Sequence, residues 1–355
     1  MIRISIIVLL LFIAMGCNDL SNDPSKPKKE MYFPPASSQD WETENISSLG
    51  WNEAAIPELR SFLKESNTKA FLLLVNGRIV LEEYYDGHRA SDSWEWNSAG
   101  KTLVAATVSI AAQNELIQID SKASDYLSTG WTNMPSEKEA LITVKDLLSM
   151  TAGNDETRQL MIKQNITYVA DAGTRWAYSN IFQKLMDIIS VSTDGSYEAF
   201  FNKYLKEKIG MDGFWNTGVI FSIYHSTARS MARFGILAMN KGKWMNEQII
   251  DEALFVQSIS PSQNLNPSYG YLWWLNGRES YMLPSDRNVY SGMLVSNAPV
   301  DMFAAMGAFD QRLYIVPSKN LIVIRMGNAS DPSNPVFAGS RFDNELWAKI
   351  NLLIR

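Results

Sequence analysis

Residues 71–82 read FLLLVNGRIVLE, and this stretch decides the fold class. Two apolar runs flank the dipeptide Asn76-Gly77. A tight type I′ turn requires positive φ angles at both central residues, and Asn and Gly accept them. The stretch therefore predicts an antiparallel β-hairpin.

The rest of the chain alternates between helical and strand patterns. Strand-like runs return near the C-terminal end, whereas apolar residues recur at helical spacing in the long middle stretch. The sequence predicts an α+β fold: an antiparallel sheet from about residues 41–97 and 265–355, flanked by helices, plus a mainly helical subdomain at about 98–264. Predicted strands are 271–275, 302–306, 312–316 and 321–326, and predicted helices are 57–65, 101–113, 144–150, 181–191, 197–209, 227–240 and 342–354.

The N-terminal end is typical of an export signal. Arg3 precedes an apolar run at 4–15, which is too short to span a bilayer as a mature helix. The run ends at Gly16-Cys17, which resembles the bacterial lipoprotein cleavage site, although Leu is usual where Ala14 stands. An ordinary secretory signal with an incidental cysteine is the alternative.

We therefore expect a signal peptide at 1–16, lipidation of Cys17, a polar lipoprotein tether at 17–40 and one folded domain at 41–355. Cys17 is the only cysteine, so no disulfide can form within the chain. The expected location is the bacterial cell envelope, with the membrane as a partner through the lipid anchor.

Composition excludes several classes of function. The formal net charge of −6 and the absence of a clustered Lys/Arg stripe argue against nucleic acid as a partner. Two histidines and one cysteine cannot build a zinc site, and no glycine-rich phosphate loop is present, so we expect no metal and no cofactor. His88 follows a turn and His225 precedes a helix cap, so neither is expected to be a catalytic base.

Residues 96–103, WNSAGKTL, indicate a serine nucleophile whose base is not a histidine. Ser98 lies where a polar loop gives way to an apolar helix, and Lys101 is one turn away, so its amine can reach the Ser98 hydroxyl. An ammonium in apolar surroundings loses hydration, which lowers its pKa toward that of a useful base. The helix N-terminus adds unpaired N–H groups suited to an oxyanion. The alternative is a serine helix cap followed by an incidental lysine.

Two further segments carry polar groups that fit the same chemistry. Tyr178 and Asn180 stand on a loop just before an apolar helix, where a phenol can relay a proton and an amide can bind a substrate carbonyl or the lysine. Gly307 ends a predicted strand, and the N–H of Ala308 beside it could complete an oxyanion hole. Each segment alone is also consistent with ordinary structure.

Taken in this order and spacing, these residues resemble the serine β-lactamase and penicillin-binding-protein superfamily. The likeness is greatest to the class C β-lactamase-related branch, which includes esterases, D-amino-acid peptidases and 6-aminohexanoate-dimer hydrolases. It extends from about residue 71 to the end, and it includes the stretches ITVKDLLSMTAG at 142–153, ARSMARFG at 228–235 and YGYLWW at 269–274.

The resemblance implies a β-lactamase/transpeptidase-like fold with the site between the sheet and the helical part. It implies that Ser98 is the acylated nucleophile and Lys101 its motif partner. It makes Tyr178 the general base and leaving-group acid, supported by Asn180, and it makes the N–H groups of Ser98 and Ala308 the oxyanion donors.

The third motif departs from the family pattern. Penicillin-recognising members carry Lys-Thr-Gly or His-x-Gly where this chain has Ala305-Met306-Gly307, and alanine cannot bind a substrate carboxylate. Arg312 is a candidate to compensate. The expected activity is hydrolysis of a small uncharged ester or amide, with which the lost motif residue and the many tryptophans (Trp94, Trp96, Trp176, Trp215, Trp273 and Trp274) are consistent. Each tryptophan taken singly is expected in the core rather than in the cleft. The alternatives are a D-amino-acid peptidase or β-lactamase at the cell envelope, and a non-catalytic surface-binding lipoprotein.

Overall fold

The computed structural model describes residues 30–38, 40–218, 221–335 and 339–355, and Met31–Arg355 form one compact unit. The predicted signal peptide and Cys17 lie outside the described residues. The strands are β1 (Thr68–Val75), β2 (Arg78–Tyr84), β3 (Trp94–Glu95), β4 (Phe214–Thr217), β5 (Ser222–Ser226), β6 (Lys243–Trp244), β7 (Glu247–Gln248), β8 (Trp274–Leu275), β9 (Ser280–Tyr281), β10 (Tyr290–Ser291), β11 (Phe303–Gly307), β12 (Gln311–Val316) and β13 (Leu321–Gly327). The helices are α1 (Ile56–Glu65), α2 (Lys101–Gln113), α3 (Ser124–Leu127), α4 (Ser136–Glu139), α5 (Val144–Ser149), α6 (Gln183–Ser192), α7 (Tyr197–Phe201), α8 (Ala228–Met239), α9 (Glu252–Ser258) and α10 (Arg341–Leu353).

The hairpin predicted at residues 71–82 forms as β1 and β2. Asn76 and Gly77 take φ angles of 49° and 78°, as a type I′ turn requires. Gly77 is also required by space, because a Cβ there would lie 2.1 Å from the carbonyl oxygen of Tyr32. The hairpin prediction is confirmed.

Both ends of the chain build the main sheet. Its strand order is β2-β1-β13-β12-β11-β8, and every neighbouring pair is antiparallel. On one face α8 approaches closely, since a Cβ on Gly235 would lie 2.8 Å from Ile322 and 2.9 Å from Leu313. On the other face α10 covers Arg312 and Tyr314. The α+β prediction is confirmed.

A second, three-stranded sheet was not predicted. Its order is β3-β5-β4, and it joins Trp94 to Ser226 and Glu95 to His225. The strands have two to five residues and their partners are far apart in the chain, so local periodicity gave no sign of the pairing. This sheet fixes the segment that leads directly into Ser98.

Two predicted elements are shorter than expected. Only Trp274 and Leu275 of the predicted strand 271–275 are extended, because Leu272 takes a φ of 61° in a tight turn. The predicted helix 197–209 is α-helical over Tyr197–Phe201 and continues as a π-helical turn over Asn202–Lys206.

Residues 31–38, which the sequence assigns to the tether, lie against the folded unit. The N–H of Tyr32 donates to the carbonyl of Asn76 at 2.9 Å. The buried guanidinium of Arg233, on α8, donates to the carbonyls of Pro34, Pro35 and Ser38. Among the described residues, no helix combines the length and the apolar character needed to cross a membrane.

Candidate active site

Ser98 lies in a one-turn 3₁₀ helix, Asn97–Gly100, that leads directly into α2. The N–H of Trp96 donates to the carbonyl of Tyr224 on β5 at 2.8 Å, which anchors the residues before the turn. Asn97 has a φ of 49° and donates from Nδ2 to Oε1 of Glu95 at 2.9 Å. A non-glycine residue in this conformation is held there by its surroundings.

Lys101 is a buried amine next to the hydroxyl of Ser98. Its Nζ lies 2.8 Å from Oγ of Ser98. The side chain is 3% exposed, and Nζ stands 4.6 Å from the ring centroid of Tyr178 and 4.5 Å from that of Phe182. Burial lowers the pKa of Lys101 to about 7, since no carboxylate counteracts the loss of hydration. At neutral pH a large fraction of this amine is therefore unprotonated and able to accept a proton.

Tyr178 lines the same cavity as Ser98 and Lys101. Burial raises the pKa of Tyr178 well above its ordinary value, and the neighbouring Ser98 hydroxyl, which lowers this pKa, does not offset the effect of burial. The ring packs among Trp176, Tyr269 and Trp274, at centroid distances of 6.3, 6.1 and 5.8 Å. The phenol consequently keeps its proton at neutral pH. This favours Lys101 over Tyr178 as the group that accepts the proton of Ser98, the reverse of what the resemblance implied.

Asn180 lies at the cavity wall, but its amide nitrogen is engaged elsewhere. Nδ2 donates to Oε1 of Gln159 at 2.9 Å and to the carbonyl oxygen of Gln159 at 3.2 Å. In the described part of the chain, it makes no hydrogen bond to Lys101. The contact between Asn180 and the lysine that the sequence suggested is therefore not formed here.

The end of β11 comes close to the backbone at Ser98. A Cβ on Gly307 would lie 2.4 Å from the carbonyl oxygen of Trp96 and 3.1 Å from the nitrogen of Ser98, so only glycine permits this approach. Ala308 lines the cavity next to Ser98. Within the described residues, the backbone N–H groups of Ser98 and Ala308 donate to no other protein group. The two are free to bind an oxyanion.

Arg312 does not face the cavity. It is fully buried, and its guanidinium pairs with Asp343 at 2.7 Å and with Asp310 at 2.9 Å. It cannot replace the missing lysine as a carboxylate ligand, so that expectation is wrong. Ala305 is also fully buried, and its methyl side chain carries no polar group.

The cavity at Ser98 has a volume of about 90 Å³. Of its described lining residues, Lys101 is the one cation. The tryptophans do not line it: Trp96, Trp176, Trp215, Trp273 and Trp274 are core residues, as the sequence led us to expect for each of them singly. The lining residues that sequence reasoning missed are Asn97, Gln159, Ser179, Phe182, Phe221, Ser222, Pro284 and Ser285. Asn97 adjoins Ser98, and Ser179 and Phe182 belong to the segment of Tyr178 and Asn180. The others come from segments far apart in the chain and gave no local signal.

The histidines lie outside this cavity. His225 stacks on Phe214, and His88 packs edge-on against Trp94. Within the described residues, no group of three or more His, Cys, Asp or Glu side chains is placed to hold a metal ion. The hydroxyl of Ser98, the buried amine of Lys101 and the phenol of Tyr178 share this cavity, and groups of these kinds can carry out nucleophilic attack and proton transfer.

The chain is similar to known proteins in sequence and in fold. The sequence profile of the β-lactamase family matches residues 64–345. No curated protein sequence matches the chain. A protein from Bacillus anthracis named as a 6-aminohexanoate-dimer hydrolase has a similar structure, with a TM-score of 0.67, 18% identity, and coverage of 91% of this chain and 89% of its own.

Two other solved structures are similar at lower identity. For a penicillin-binding protein from Bacillus halodurans the TM-score is 0.57 at 13% identity, covering 82% of this chain and 98% of the other. For EstCE1, a hydrolase with promiscuous acyltransferase activity, the TM-score is 0.61 at 11% identity, covering 86% and 99%. At these identities the structural likeness establishes a shared fold.

Proposed function

The chain belongs to the β-lactamase family, and on that premise we propose that it is a serine hydrolase that cleaves a small, uncharged ester or amide through an acyl intermediate on Ser98. The observation that carries the proposal is the 2.8 Å contact between the hydroxyl of Ser98 and the buried amine of Lys101. A lysine that is buried beside a hydroxyl and lacks a carboxylate partner costs stability, and catalysis gives a reason for its presence.

The first step is attack by Ser98. The unprotonated Nζ of Lys101 takes the proton from Oγ as the oxygen forms a bond to the substrate carbonyl carbon. The carbonyl π electrons move to the carbonyl oxygen, which becomes an oxyanion. The N–H groups of Ser98 and Ala308 donate to it, and both are fixed before the reaction, so they require no reorganisation.

The tetrahedral intermediate then collapses. The bond from carbon to the leaving oxygen or nitrogen breaks, and the Tyr178 hydroxyl donates its proton to that atom while it receives the proton held by Lys101. A water molecule attacks the acyl-Ser98 and gives its proton to Lys101. The carboxylic acid leaves as Ser98 recovers a proton from the same amine.

The cavity favours a small acyl group without charge. Its apolar walls are formed by Phe182, Phe221 and Pro284, and among the described lining residues a substrate carboxylate would find no cation other than Lys101. This weighs against β-lactams and D-amino-acid peptides, whose carboxylates the family binds through the motif residue replaced here by Ala305. The names of the Bacillus anthracis protein and EstCE1 agree with an amide or ester substrate.

Covalent labelling tests the proposal. A fluorophosphonate should add one phosphonyl group to the Ser98 peptide, and p-nitrophenyl acetate should give a burst with one acetyl group per chain. Ser98→Ala should abolish the adduct and reduce turnover by about 10³-fold or more, whereas Ser179→Ala, which alters another cavity serine, should still be labelled.

The alternatives predict different outcomes. Release of D-alanine from a muropeptide, or nitrocefin hydrolysis faster than ester hydrolysis, would indicate the peptidase or lactamase. An unlabelled Ser98 in folded protein would contradict the proposal and favour a binding lipoprotein.

We also propose that the hydrolase is held at the bacterial cell envelope by a lipid on Cys17. The support is the sequence at 14–17 and the apolar run before it. The full chain expressed in bacteria should partition into the detergent phase, and Cys17→Ser should move it to the aqueous phase. Equal partitioning of both would contradict the anchor.

A further inference from the structure

We propose that Arg312 is a positioning residue that aims and strengthens the Ala308 N–H of the oxyanion hole from behind the peptide bond. This inference rests on the proposed function. It starts from the peptide unit between Gly307 and Ala308, which carries both the Gly307 carbonyl and the Ala308 N–H. Because the unit is planar and trans, these two groups point in opposite directions.

Arg312 holds the carbonyl end of that unit. Its Nη1 donates to the Gly307 oxygen at 2.7 Å, and Ala308, which carries the N–H at the other end of the unit, lines the cavity. A cation bonded to the carbonyl draws electron density from the peptide nitrogen, which makes the N–H a stronger donor. The bond also fixes the direction of the N–H before substrate arrives.

Hydrogen bonds to two aspartates fix the position of the guanidinium. Nε and Nη2 donate to Asp343, and Nη2 donates also to Asp310. The group is fully buried, so solvent does not screen the bond to the carbonyl. Arg312 therefore keeps its charge and its place through a catalytic cycle.

The turn that carries Ala308 would not hold its shape alone. Phe309 and Asp310 are consecutive non-glycine residues with φ angles of 60° and 59°. Such a conformation persists where the surroundings determine it. Side chains hold all four carbonyls of residues 307–310: Arg312 binds that of Gly307, Asn97 that of Ala308, Arg325 and Gln311 that of Phe309, and Arg325 that of Asp310.

Arg325 provides a matched control. It lies directly across from Arg312 on β13, is equally buried, and holds the next carbonyls of the same turn, at Phe309 and Asp310. It makes no hydrogen bond to the Gly307–Ala308 peptide within the described residues. A role in general stability applies to both arginines, whereas support of the oxyanion donor applies to Arg312.

The experiment compares Arg312→Met with Arg325→Met. Arg312→Met should lower kcat/KM for p-nitrophenyl acetate by roughly 10- to 100-fold, less than the 10²- to 10³-fold typical when an oxyanion donor is removed. The inhibition constant of phenylboronic acid, whose tetrahedral adduct places a charged oxygen in the hole, should rise in parallel. KM should change by less than about threefold, and the apparent pKa near 7 should stay, because Lys101 is untouched.

The loss of kcat/KM in Arg325→Met should be at least fivefold smaller than the loss in Arg312→Met. Equal losses in the two variants would overturn the proposal, as would an unchanged boronate constant in Arg312→Met. If Arg312→Met does not fold, the double variant Arg312→Met/Asp343→Asn removes both charges of the pair and leaves neither unpaired. The same losses of kcat/KM and of boronate affinity are expected of it. A wild-type protein that forms no acyl-Ser98 would instead refute the proposed function, which separates the two failures.

Discussion

Two buried basic side chains, Lys101 inside the cavity and Arg312 behind the Gly307–Asp310 turn, have opposite electrostatic surroundings. Lys101 is enclosed by aromatic rings, and burial lowers its pKa to about 7. Arg312 lies behind the neighbouring turn with two aspartates. Burial acts to lower the pKa of Arg312, but the carboxylates of Asp343 and Asp310 outweigh it and raise the pKa above its ordinary value.

The difference shows that the surroundings of a basic side chain decide whether it stays charged. An unpaired buried amine becomes a base, because its charged form is the costly one. A paired buried guanidinium stays charged and becomes a fixed electrostatic support. The lysine is thus suited to move a proton, and the arginine to hold a peptide still.

Removing the base should have the largest effect. Lys101→Met should lower kcat/KM by about 10³-fold or more, since Ser98 then has no proton acceptor. The same change should stabilise the fold at pH 7 by on the order of 1–4 kcal/mol, because a costly buried amine is lost. Activity assays and thermal unfolding measure the two effects.

The stability gain should depend on pH. The pKa of Lys101 is lower in the folded than in the unfolded chain, so the folded state holds fewer protons between about pH 7 and the ordinary lysine pKa. Wild-type stability consequently rises with pH through this window, and the advantage of Lys101→Met shrinks there. Lys101→Arg, a permanent cation, should be both inactive and destabilised; activity in either variant within tenfold of wild type would contradict a base at this position.

Placing a carboxylate beside Lys101 should raise its pKa, as the aspartates beside Arg312 raise the pKa of that residue. In wild type, kcat/KM should fall with decreasing pH below about 7, as Lys101 gains a proton. Phe182→Glu places a carboxylate where a ring now lies 4.5 Å from Nζ, which should raise the pKa of Lys101 by roughly 1–3 units. Activity at pH 7 should drop about 10- to 100-fold and recover at higher pH.

The matched variant is Phe182→Gln, which has the same shape without the charge. Its pH profile should keep the midpoint near that of wild type. A common midpoint for the Glu and Gln variants would show that the missing carboxylate does not set the pKa of Lys101.

The smallest effect on activity is expected when the ion pair of Arg312 is changed. Asp343→Asn removes one carboxylate from Arg312 but leaves Asp310 and the Gly307 carbonyl as its partners. The free energy of unfolding should fall by roughly 3 kcal/mol, while kcat/KM stays within about threefold. Denaturant unfolding and ester hydrolysis measure the two quantities.

Glu345→Gln, on the same helix but closer to solvent, is the control and should change neither quantity. Loss of activity in Asp343→Asn with unchanged stability would mean that this carboxylate acts in the reaction, contrary to the division described above.

Much of the fold followed from local pattern. The hairpin at Asn76-Gly77 and the helix that begins at Lys101 are confirmed, since turn chemistry and apolar spacing act over a few residues. The small sheet of β3, β4 and β5 was missed because its pairings join distant segments. The site shows the same limit, since Gln159, Phe221 and Pro284 come from separate loops.

What the sequence determined by itself was the family pattern and the pairing of Ser98 with Lys101, because residues three apart on one helical turn meet whatever surrounds them. Only the tertiary structure decided what each charged group does. Arg312 is a buried partner of Asp343, 31 residues further on, and not a substrate ligand. The pKa of Lys101 is lowered because aromatic rings from a distant segment close around its amine. A pKa reflects the surroundings of a group in space, and the fold assembles those surroundings from segments far apart in the chain.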